Sequence, residues 1–174
     1  MNQYQIVYTS QTGNTEKLAK QIFETIHTDA KDIYCLNEET ANYDADIYFI
    51  GFWTNRGSCS MELLDFLDGL EGKKVALFGT CGMGGHPEYF KSIETNILAF
   101  LDDSNEYLGA FMCQGEMSQQ IKEKYHAKLK ENPDDERIKF MIENFDHAIG
   151  HPNQEDLDNV TAFAKEMLEK AEKH

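Results

Sequence analysis

The 174-residue chain carries 16 Lys and Arg against 31 Asp and Glu, a formal net charge of −15. That balance argues against nucleic acid or an anionic membrane as a partner and leaves a partner protein with a basic docking face, or solubility alone, as its use. No apolar run approaches the ~20 residues of a membrane span, and a strand pattern stands at the N-terminus where a signal peptide would lie. Four scattered cysteines, Cys35, Cys59, Cys81 and Cys113, include no CxxC pair. Their spacing opposes a zinc or iron–sulfur site and suits a reducing, cytoplasmic compartment. The length fits one domain over residues 1–174.

Tyr4 to Tyr8 is aromatic and β-branched and predicts a first strand. From Asn14 the period changes: Leu18, Ile22 and Ile26 recur every fourth residue beside Ala19 and Phe23, the apolar face of a helix. Residues 32–36 and 46–52 predict the second and third strands, the latter apolar on both faces as in a central parallel strand. Leu63, Leu64, Phe66 and Leu67 mark a helix over 61–70, and 73–79 predicts the fourth strand. A helix over 88–101 turns Phe90, Ile93, Ile97 and Leu101 inward, and 106–113 gives the fifth strand. The final helix, 155–171, packs Val160, Phe163, Ala164, Met167 and Leu168. Residues 114–153 exceed what this alternation needs. Ile121, Tyr125 and Leu129 make one short apolar stripe there, and Ile138, Met141, Ile142 and Phe145 make another after the turn NPDDE. A helical pair is expected, which either packs on the domain, overhangs the sheet edge or docks a partner.

Strands alternating with helices require a parallel sheet covered on both faces. The fold class expected is therefore α/β, a three-layer sandwich around a five-stranded parallel sheet with the added helical pair, and the strand order expected is 2-1-3-4-5, the one that five strands of this kind commonly adopt. Ligands of such sheets bind beyond the C-terminal edge where strand order reverses.

The first loop at that edge reads TSQTGNT, Thr9 to Thr15. A helix leaves its first amides unpaired and adds roughly half a positive charge at the same end, so Ser10, Gln11, Thr12, Gly13, Asn14 and Thr15 can form a phosphate cradle of amides and hydroxyls. Gly13 permits the tight bend. The competing reading is an ordinary turn in which Thr12 or Asn14 caps the helix. No Lys precedes a Ser or Thr as a P-loop requires, and GxGxxG is absent. An uncharged cradle suits a single phosphate monoester. In hydroxyl spacing and in its Gly-Asn-Thr ending this loop resembles the flavodoxin family, whose cofactor is flavin mononucleotide (FMN). The resemblance spans residues 3 to about 113 and resumes in the last helix, so the chain reads as a divergent, flavodoxin-like protein.

That resemblance implies FMN contacts from Thr9 to Thr15 and from two further loops. After the third strand come Trp53, Thr54, Asn55, Arg56 and Gly57. Trp53, the only tryptophan, serves either the core or one wall of a flat ring. In flavodoxins a glycine peptide in this loop turns its carbonyl to the flavin on one-electron reduction, and Gly57 matches it. After the fourth strand come Thr80, Cys81, Gly82, Gly84 and Gly85, which either contact the cofactor or form a plain surface loop. Met83 departs from the family's acidic residue, and Tyr89 completes a second ring wall only if it turns inward. The resemblance implies an electron carrier that cycles through a flavin semiquinone, with no residue in an acid–base or nucleophilic role. The rival reading is an FMN-dependent reductase of a quinone-like or tetrapyrrole substrate. A phospho-receiver is disfavoured because TSQTGNT carries no acidic residue.

Overall fold

The computed structural model describes residues 2–36, 44–84 and 86–173. Its strands β1 (Asn2–Tyr8), β2 (Lys31–Cys35), β3 (Ala45–Trp53), β4 (Lys74–Cys81) and β5 (Glu106–Gln114) are all parallel and lie in the order β2-β1-β3-β4-β5. The α/β class and strand order are those expected, and the added helical pair is present as α4 (Gln119–Glu131) and α5 (Glu136–Ala148).

The amphipathic helices cover the sheet as their stripes require. Helices α1 (Asn14–Thr25) and α6 (Gln154–Glu172) bury Leu18, Ile22, Val160, Phe163 and Met167 against Tyr4, Ile6, Phe49 and Phe78. Helices α2 (Met61–Asp68) and α3 (Pro87–Leu98) bury Leu63, Leu67, Ile93 and Ile97 against Tyr48, Ile50, Phe52 and Leu77 on the other face. Each fully buried leucine or isoleucine contributes about 1.5–3 kcal/mol relative to exposure.

Several boundaries differ from the sequence reading, each for a local reason. Helix α1 stops at Thr25, whose hydroxyl bonds back to the Gln21 carbonyl at 2.8 Å, and Ile26 is extended but still buried. Pro87 opens α3, a position where its missing N–H costs nothing. The helix ends at Leu98, and Leu101 packs on the core from beyond it. Strand β4 runs on to Cys81, which moves Thr80 and Cys81 from the loop into the strand.

Inside the sheet, two glycines each face a ring on the neighbouring strand. Gly51 is in register with Phe78, and Gly79 with Phe52. A methyl group at either glycine would run into the facing phenyl ring. The two pairs lie on opposite faces, because side chains alternate along a strand. They sit just below the C-terminal edge.

Candidate functional site

Strands β1, β3 and β4 are neighbours, so the loops that leave their C-terminal ends lie side by side. In the first loop Gly13 is the N-cap of α1 at φ 90°, a left-handed conformation that glycine adopts readily. Its amide donates to Ser10 Oγ at 3.1 Å and closes the turn, while the Ser10 hydroxyl keeps its own hydrogen to give. Among the described residues, the amides of Gln11, Thr12, Asn14 and Thr15 find no protein acceptor. The nearest lysine in α1 is directed elsewhere, since Lys17 Nζ donates to the Pro152 carbonyl at 2.7 Å. The turn therefore offers neutral donors at the positive end of a helix.

The threonines of this loop have different surroundings. Thr12 is exposed. Thr15 is fully buried; its hydroxyl donates to the Phe52 carbonyl at 3.1 Å and lies 3.1 Å from Thr80 Oγ1, joining α1 to the ends of β3 and β4. Thr9 is also buried, and its Oγ1 has no partner. Ser60 Oγ, at the N-cap of α2, is a second buried hydroxyl without one. Thr9 and Ser60 line the same cleft of about 230 Å³, together with Ser10, Gln11, Trp53 and Glu62. An unsatisfied buried hydroxyl costs on the order of 1–3 kcal/mol, so a pair of them on one cleft suits a ligand rich in polar atoms.

Beside it lies a larger cleft of about 330 Å³. Gln11, Thr12 and Asn14 reach it from the first loop, and Trp53, Thr54 and Arg56 from the end of β3. Thr80, Cys81 and Gly82 reach it from the end of β4. Trp53 is half-buried at the last position of β3 and touches both clefts. Asn55, Gly57 and Gly84 lie outside the lining, and Gly85 falls outside the described residues. Asn55 and Ser58 exchange two backbone hydrogen bonds at 2.8 and 3.0 Å around Arg56 (φ 50°) and Gly57 (φ 79°), a type I′ turn. The Gly57 carbonyl accepts from Asn96 Nδ2 of α3 at 2.9 Å.

Further walls come from residues outside the expected set. Met83 and Tyr89 line the larger cleft, and so do Gly115, Glu116, Met117 and Ile121 from the start of the insertion. The Cys81 thiol is pushed up from its ordinary value by burial. It stays protonated and unreactive at neutral pH. The signal for the insertion's part was the glycine of Gln114-Gly115-Glu116-Met117, placed after a parallel strand like the other cleft loops.

The Flavodoxin domain family model matches residues 5–165. The chain belongs to the flavodoxin family. Among its relatives is the flavodoxin-like domain-containing protein BilS of Clostridioides difficile (strain CD3), 37% identical over 172 residues that cover 95% of this chain and 96% of that protein. The BilS protein of Clostridium symbiosum (strain WAL-14163) is 34% identical and covers 88% and 90% respectively. Among solved structures, oxidised Flavodoxin 1 of Bacillus cereus superposes with a TM-score of 0.62 over 97% of this chain and 98% of that one, at 19% identity, a likeness of fold. FMN is the cofactor that accompanies this family. The site of this flavodoxin fits it: unpaired amides and orphaned hydroxyls suit a phosphate and a polyol, and the Trp53 side chain beside the larger cleft suits a flat ring.

Proposed function

We propose that this flavodoxin is a cytoplasmic electron carrier that serves a redox partner enzyme. The observation that carries this reading is the first turn, where neutral amides at the start of α1 stand beside two orphaned hydroxyls, next to a cleft walled by Trp53. FMN, when bound, supplies one-electron redox chemistry. The chain's residues do the rest. Gln11, Thr12, Asn14 and Thr15 would hold the phosphate through their unpaired amides, each hydrogen bond to a charged acceptor contributing about 1.5–3 kcal/mol. Trp53 and Tyr89, which both line the larger cleft, would wall the ring, and Arg56 offers the one positive side chain of the lining among the described residues. A surface of net charge −15 steers a partner with a basic face toward that rim.

Purified protein given FMN tests the reading directly. Expected are a stoichiometric yellow complex and a reductive titration, followed by absorbance, that resolves two separate one-electron phases. A colourless chain that takes up no FMN overturns it. The alternative, an FMN-dependent reductase of a quinone-like or tetrapyrrole substrate, draws support from one feature, the Met117 and Ile121 side chains that reach into the cleft. Rapid quinone turnover with NAD(P)H and the purified chain alone would favour it over the carrier.

A further inference from the structure

The segment that follows β5 does not leave the site; it returns across it. The Gly115 amide donates to the Cys81 carbonyl at 2.9 Å, and Asn14 Nδ2 of the first loop donates to the Glu116 carbonyl at 2.9 Å. Met117 then packs on the backbone of Gly82 so closely that a Cβ at Gly82 would come 2.6 Å from its sulfur. Glycine at position 82 is what makes room for that side chain.

The same backbone is held from the far side of the insertion. Asn144, half-buried on α5, donates from Nδ2 to the Gly82 carbonyl at 2.9 Å and accepts at Oδ1 from the Gly84 amide at 3.2 Å. Gln114 Nε2 adds bonds of 3.0 Å to the Gly82 carbonyl and 3.2 Å to Asn144 Oδ1. A carboxamide presents a donor and an acceptor at one end, which is what a carbonyl and an amide two residues apart require. A glycine-rich stretch loses much entropy when fixed, so it holds one shape only where something pins it.

We propose that Asn144 is a positioning residue of the cofactor cleft. Through the 82–84 backbone it fixes the loop on which Met117 rests, and Met117 becomes a wall of the cleft that Trp53 also lines. The helical pair is then part of the cofactor site and not a decoration of the fold. This rests on the FMN reading, but the hold of Asn144 on the loop is measurable without flavin.

The test uses the full chain with Asn144→Leu, Asn144→Asp and Met117→Ala. In the apoprotein, hydrogen exchange of the peptide that covers residues 82–84 is expected to run about tenfold faster in Asn144→Leu, with the sheet unchanged. Asn144→Asp keeps the acceptor and loses the donor, so it should fall between, and it decides the matter if the leucine variant fails to fold. FMN affinity should drop about tenfold in Asn144→Leu. Met117→Ala should leave loop exchange as it is, yet weaken FMN and change the visible circular dichroism of the bound flavin. Loop exchange at the wild-type rate in the Asn144 variants overturns the proposal, as does faster exchange with unaltered affinity and dichroism. A wild-type chain that binds no FMN sinks the cofactor reading, and the exchange arm still reports whether Asn144 holds the loop.

Discussion

Thr12 and Thr15 stand three residues apart in one turn, and their hydroxyls have different duties. Thr12 is exposed at the larger cleft, whereas the Thr15 hydroxyl is spent on the Phe52 carbonyl and Thr80. Thr12→Ala is expected to weaken FMN binding about tenfold, by fluorescence titration, with apoprotein stability unchanged. Thr15→Val keeps the shape and loses the buried bonds, so urea melts of the apoprotein should show a loss of about 1–3 kcal/mol. The spacing of hydroxyls made the cradle legible. Which of them turns inward was not, because that depends on β3 and β4 standing behind the helix start. A similar hidden partner acts at Gly57, whose carbonyl is engaged by Asn96. Asn96→Ala frees that carbonyl to turn, and the first one-electron potential of the FMN-loaded protein should rise by roughly 20–60 mV in a spectroelectrochemical titration. An unchanged potential would mean that the peptide keeps its orientation.

At the scale of elements, helix α6 depends on its first turn. Asn153 Oδ1 accepts from the Asp156 amide at 3.0 Å, and Asp156 Oδ2 accepts from the Asn153 amide at 2.8 Å, a capping box on a 19-residue helix that covers one sheet face. Asn153→Ala is expected to cost about 0.5–2 kcal/mol in denaturant unfolding. The strands and helices themselves were readable from period and residue type: the Leu18–Ile22 stripe and the two-faced apolar run of β3 follow from burial, and the order of the sheet is the common one for five parallel strands joined by helices. The reach of β4 to Cys81 was not, because Thr80 and Cys81 look like loop residues until β5 pairs with them at Cys113 and Gln114. Nor was the role of 115–121 at the cleft. An amphipathic stripe says that a face is covered, and only the tertiary bonds of Asn14, Gln114 and Asn144 say by what.

At the scale of the whole molecule, burial sets the response to alkali. The Cys59 thiol is pushed from 9.0 up to about 12, and burial raises Cys81 and Cys113 in the same direction. The unfolded chain gives up these protons first, so the stability they confer is fully present below about pH 9 and is lost as pH rises toward about 12. Urea melts across that window should show the decline, and Cys59→Ala should make it shallower.

The paired glycines and rings of β3 and β4 also govern how the cleft keeps its shape. Sliding one strand by two positions would set Phe49 against Phe78 and put the smaller Thr80 opposite Gly51, so the rings and glycines favour the observed alignment over that neighbour. Trp53 and Thr80 are thereby held level at the rim by an interlock beneath them. The mouth of the cleft inherits its geometry from below, and its loops are free to change their chemistry without losing their footing.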